Sequence, residues 1–138
     1  MSLEQLSAIL NENEEVGKND AASAVQINIA NVKLRKNGIN EIPQDFADML
    51  QKYNGLSCDG NVIFGVDTKT MFFPDLVDVN CRILKDEDTS CIILGQDEDN
   101  FLVYDYQPKK YRIIDQEDFE EKVVTDDLTY AVAWILKI

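Results

Sequence analysis

The stretch CIILGQDEDNFLVYDYQPKKYRII, Cys91 to Ile114, decides the fold. Its runs CIIL, FLVYDY and YRII are β-branched or aromatic, while the intervening GQDEDN and QPKK are rich in turn-forming residues. Short strands joined by short turns pair antiparallel with their sequence neighbours, so this stretch predicts a meander in the C-terminal half. Upstream, Val62-Ile63-Phe64 predicts another short strand, closed by Gly65, and Pro74 to Leu84 a helix opened by Pro74 and Asp75. Downstream, Gln116 to Glu121 reads as a helical turn. Thr125 or Asp126 is expected to cap a last helix whose inner stripe is Leu128, Ala131, Val132 and Ile135.

The N-terminal half is helical in pattern. Ser2 is suited to cap a helix running to about Glu15, with Leu3, Leu6, Ile9 and Leu10 as its apolar stripe and Gly17 punctuating its end. A second helix is expected from a cap at Asp20 to Lys36, burying Val25, Ile29 and Val32 and stopping at Asn37-Gly38, although Gln26 to Ile29 also alternates like a strand. In IPQDFADMLQKYNGL, Ile42 to Leu56, Pro43 suits the first helical position and Asp45 the positive helix end. Phe46, Met49, Leu50 and Tyr53 form one buried face there. Asn54-Gly55 stops the helix with a positive φ at Gly55, and Ile42 anchors its entry. Helices, then a meander, then a closing helix make an α+β domain. One domain is expected for 138 residues.

With 13 basic and 26 acidic side chains the net charge is −13, and it is evenly spread. Hydrophobic residues make up 45% of the chain, so the acidity belongs to a folded surface and not to a disordered one. Such a surface repels phosphate backbones, so no direct nucleic-acid binding is expected; it would attract a basic protein partner. No segment approaches the roughly 20 apolar residues of a membrane span, and the N-terminus lacks a signal-peptide pattern. Three widely spaced cysteines without a CxxC pair suggest neither disulfides nor a thiolate metal site and fit a reducing compartment; a cytoplasmic location is expected.

The absence of histidine removes Ser-His-Asp and Cys-His nucleophile systems and imidazole-based zinc sites. Cys58, Cys81 and Cys91 are read as inert thiols, Cys91 packed in the core. No phosphate-binding loop or dinucleotide fingerprint is present. The clusters Asp86-Glu87-Asp88 and Asp97-Glu98-Asp99 hold enough carboxylates for a cation, but Phe101 and Leu102 fall where a calcium loop needs a ligand and its glycine. Solvated turns are the better reading of both clusters, and no cofactor is expected. Trp134, Tyr104, Tyr106 and Tyr111 are at core spacing, and with 26 acids no carboxylate pair is singled out for catalysis.

Ile42-Pro43, Asp45-Phe46, Leu50 and Tyr53-Asn54-Gly55 resemble the hallmark of the SUKH superfamily. The order of Val62 to Gly65, then IILGQDEDNFLVYDY, then KKYRIIDQ is similar to the rest of that pattern, closest to its YrhA-like branch, over most of Glu41 to Asp118. The resemblance implies a single α+β domain with a twisted antiparallel sheet packed by helices, and a non-catalytic role. In bacteria it implies an immunity protein that binds and neutralises a cognate toxin, often a nuclease; elsewhere it implies a regulatory hub of the cell-wall assembly type. It carries over no catalytic residue. On that reading Asp97, Glu98 and Asp99, followed by Asp86, Glu87 and Asp88, are the residues expected to meet a basic toxin; a hub, or a carboxylate-dependent enzyme, stays open as an alternative.

Overall fold

The computed structural model describes residues 1–68, 73–84 and 90–138. The expected strands extend into one seven-stranded antiparallel sheet whose spatial order is the sequence order. β1 (Gly17–Lys18), β2 (Leu56–Cys58) and β3 (Asn61–Ile63) form its short-stranded side. β4 (Cys91–Gln96), β5 (Asn100–Asp105), β6 (Lys110–Asp115) and β7 (Glu121–Thr125) form the meander. β1 and β2 carry too few residues for a periodic signal. Gln116 to Asp118 form a turn, as expected, but β7 follows it between that turn and the expected cap, where no strand was predicted; its exposed Glu121 and Lys122 are the charges an edge strand uses against unwanted pairing.

Five helices pack the sheet: α1 (Leu3–Glu12), α2 (Ala24–Lys36), α3 (Gln44–Leu50), α4 (Leu76–Ile83) and α5 (Leu128–Leu136). α5 reaches β3 through β7, with Leu128, Ala131, Val132 and Ile135 all buried as the spacing predicts. Its cap is Asp127, whose carboxylate accepts from the Tyr130 N–H, while Thr125 Oγ1 accepts from Asp127 N. α1 is capped by Ser2 in a reciprocal box with Gln5. α3 buries Phe46, Met49 and Leu50, with Ile42 buried at its entry and Pro43 one position earlier than expected, at the cap. Gly55 has φ +110°, as its place after the helix requires.

α2 departs most from the sequence reading. The helix starts later than expected, at Ala24, so Asp20 lies outside it, with its carbonyl accepting from Asn54 N, and Ser23 is the cap, in a box with Gln26. The buried stripe is Ile27, Ala30 and Leu34, and the expected core residues Val25, Ile29 and Val32 are exposed. Both stripes have helical spacing, and small Ala30 sits on the side that packs, where α2 contacts α4.

Two buried asparagines complete the sheet where strands run out. Asn80 of α4 accepts from Ile93 N and donates to Ile93 O, each at 2.7 Å, as a neighbouring strand would. Asn54 does the same for Val66, at 2.7 and 2.8 Å. A Cβ on Gly65 would lie 2.4 Å from the Asn54 carbonyl oxygen, so only glycine allows that approach. No helix among the described residues is long and apolar enough to cross a membrane.

Candidate functional site

An antiparallel meander sends alternate connections to the same end of the sheet. The β2–β3 hairpin (Asp59-Gly60), the β4–β5 turn (Asp97–Asp99) and the β6–β7 turn (Gln116 to Glu120) therefore share one end. Glu15 joins them, because Gly17 pairs with Ser57 and places the chain before β1 beside Cys58 and Asp59. Exposed Glu15, Asp59, Glu98, Asp99, Glu117, Asp118 and Glu120 thus converge from four segments.

The frame beneath them is rigid. Asp97 is the exception to the solvated-turn reading: it is 4% exposed, and its carboxylate faces inward. Asp97 Oδ1 accepts from Asp99 N at 2.9 Å, Asn100 N at 2.7 Å and Asn100 Nδ2 at 3.0 Å, while Oδ2 accepts from Lys137 Nζ at 2.9 Å. Burial pushes its pKa up, but the bonds from Asn100, Lys137 and the two backbone amides outweigh this and hold it below the usual carboxylate value. Asp97 is therefore occupied in shaping the turn, and its neighbours Glu98 and Asp99 are left facing solvent. Asp86, Glu87 and Asp88 lie outside the described residues.

Gln116 ties the next turn to this one. Its N–H donates to Asp99 O and its side chain to Asp97 O, both at 2.9 Å. Asp115 accepts from Glu117 N at 2.8 Å and Asp118 N at 3.3 Å, bonds that lower its pKa. At the tip, Phe119 is 62% exposed with φ +60°, an uncommon conformation for a bulky residue. It stands beside an apolar groove of about 390 Å³ that includes Ile83, Leu84, Phe101 and Ile114. An exposed aromatic next to an acidic rim has the make-up of an interface anchor. Sequence reasoning missed it, because one phenylalanine in an acidic turn gives no periodic signal.

Between the β2–β3 and β4–β5 turns lies a cleft of about 360 Å³, lined by Glu15, Cys58, Asp59, Asn61, Asp97, Glu98, Asp99 and Lys137 among others. Cys58 is buried, and burial, with Asp59 and Glu15 adding, pushes its thiol pKa up. Cys91, expected in the core, is half-buried, and no disulfide joins the three cysteines.

Elsewhere, a groove of about 570 Å³ runs between α2, α3 and Tyr104 and Tyr106, lined by the amides of Asn28, Asn31, Asn40, Gln44 and Gln51. Glu41 is the one carboxylate among its described lining residues, so it offers no acid–base pair. The tyrosines serve packing: Tyr104 and Tyr111 rings are 4.9 Å apart, Tyr111 is buried, and Trp134 is half-buried under Lys137 at 5.3 Å. Burial pushes the Tyr106 and Tyr111 phenols up, so both stay protonated at neutral pH. Neither a protein-family model nor a curated protein matches this chain.

Proposed function

We propose that this chain is a non-catalytic, protein-binding domain of the SUKH kind, an immunity protein that neutralises a basic bacterial toxin by covering it with its acidic end. The observation that carries this reading is the convergence of exposed carboxylates from four segments on turns held by buried and part-buried hydrogen bonds. Rigid charge of one sign loses little entropy on docking and steers a partner of the opposite sign. A nuclease toxin presents the cations that hold phosphate, and Glu98, Asp99 and Asp118 would take the place of the nucleic-acid backbone there. Phe119 would supply the apolar anchor. In this role the protein acts in the reducing cytoplasm beside its toxin's target.

Affinity capture tests the reading. The tagged protein is captured, at low and high salt, from its native cells and from cells expressing neighbouring open reading frames. One basic, toxic protein should be recovered at low salt and lost at high salt. Recovery of several housekeeping proteins at both salt concentrations would favour the regulatory-hub alternative, and no recovery would remove the immunity reading.

A further inference from the structure

Glu15, Cys58 and Asp59 form a second, tighter feature inside the acidic end. One carboxylate oxygen from each acid and the Cys58 Sγ all lie within 4.8 Å of one another. Their backbones are fixed: Glu15 by entry into β1, and Cys58 and Asp59 by a two-residue hairpin in which Asp59 (φ +52°) and Gly60 (φ +85°) both carry the positive φ of a tight turn. Among the described residues neither Glu15 nor Asp59 forms an ion pair; Lys137 is committed to Asp97 and Lys18 to Asn11.

Asn61 supplies an independent observation at the same place. Asn61 stands directly opposite Cys58 across the hairpin, so both side chains project from the same face of the sheet into the same cleft. Asn61 is 8% exposed and Cys58 6%, and among the described residues neither side chain has a hydrogen-bond partner. The amide is open to the cleft alone, so its oxygen is uncommitted beside a thiol and two carboxylates and is placed to serve a polar species held there.

We propose that Glu15, Cys58 and Asp59 bind a single zinc ion, with Asn61 bordering its open position. A thiolate selects a borderline or soft metal over calcium or magnesium, and oxygen donors with one sulfur suit zinc when histidine is absent. Binding exchanges the Cys58 S–H proton for the metal: the S–H bond breaks, a Zn–S bond forms and the proton goes to solvent. The ion supplies the positive charge that the protein itself does not place between the two carboxylates.

The test uses the whole chain and the metal alone. Cobalt(II), as a spectroscopic stand-in, should bind one per chain with a thiolate-to-cobalt charge-transfer band, and zinc should abolish the band stoichiometrically. Zinc should also slow maleimide alkylation of Cys58 at least tenfold and leave Cys81 and Cys91 unchanged, read by mass spectrometry. Glu15→Gln and Asp59→Asn, both at exposed positions, should each weaken zinc binding about tenfold or more, and Cys58→Ser should remove the band. No stoichiometric band, a band that survives Cys58→Ser, or zinc affinities of Glu15→Gln and Asp59→Asn within twofold of the unaltered chain would each overturn the proposal. Should Cys58→Ser fail to fold, the two carboxylate variants decide. Because no protein partner takes part, this result is independent of the toxin reading.

Discussion

Replacing Asp97 with alanine should destabilise the protein by about 3 kcal/mol at pH 7. Hydrogen bonds to a charged acceptor contribute roughly 1.5–3 kcal/mol each, they are not additive within one group, and a donor left buried and unpaired costs about 1–3 kcal/mol. Asp97→Ala removes the acceptor for Asp99 N, Asn100 N, Asn100 Nδ2 and Lys137 Nζ together, and Asn100 is itself only 5% exposed. For a chain of this length the loss corresponds to a fall in Tm of about 10 °C. Its pH dependence is a second signature. The native carboxyl sits below its unfolded value of about 3.9, so the unfolded chain binds the proton more tightly between the two. The stabilisation is complete above about pH 5 and is lost as the pH falls through the native pKa. Urea unfolding of the unaltered protein and of Asp97→Asn should therefore give curves that differ by about 2 kcal/mol at pH 7, the worth of hydrogen bonds to a charged acceptor, and draw together as the pH falls below the unfolded value. A difference below about 1 kcal/mol, or one unchanged between pH 7 and pH 3, would refute the assignment of Asp97 to the frame.

Other residues separate frame from surface in the same way. Asn80→Ala should cost about 3 kcal/mol in urea and speed hydrogen exchange at the Ile93 amide, because both Ile93 backbone groups lose their partner. Gly65→Ala should cost at least about 3 kcal/mol, since its methyl would overlap the Asn54 backbone; Gly60→Ala, with φ +85° but nothing within 4 Å, should cost only about 1 kcal/mol, both read by thermal unfolding. The double variant Glu98→Lys with Asp99→Lys should leave stability within about 0.5 kcal/mol and yet weaken a basic partner strongly in a titration. Phe119→Gly, at φ +60°, should change stability by no more than about 1 kcal/mol and weaken that partner about tenfold or more.

The meander was legible because CIIL, FLVYDY and YRII are strongly β-forming and the turns between them are polar. α3 was legible through its single apolar stripe, and α5 through an apolar run that buries Ala133 and Leu136 as well as the predicted stripe. α2 has two, Val25-Ile29-Val32 and Ile27-Ala30-Leu34, and periodicity alone favours the bulkier. β1 and β2 exist through pairing, not through local preference: Gly17 and Lys18 are strand only because Ser57 and Leu56 lie beside them. The same limit applies to the acidic end. Asp-Glu-Asp-Asn reads identically as a solvated loop or as a capped turn, and what separates them is Lys137, delivered from the far end of α5. Glu15, Cys58 and Asp59 come together only after β1 pairs with β2, so no motif spacing announces them.

The most direct test of the acidic end as the binding surface is the association rate of the captured partner, measured by stopped flow across ionic strength. It is compared between the unaltered protein and the variant carrying Glu98→Lys, Asp99→Lys and Asp118→Lys. Electrostatic steering accelerates encounter by roughly 10-fold to 1,000-fold at low salt and fades as salt screens it. The account predicts a rate that falls at least about tenfold from low to high salt for the unaltered protein, with a slow and salt-insensitive rate for the variant. Equal rates with the same salt dependence in both proteins would contradict it.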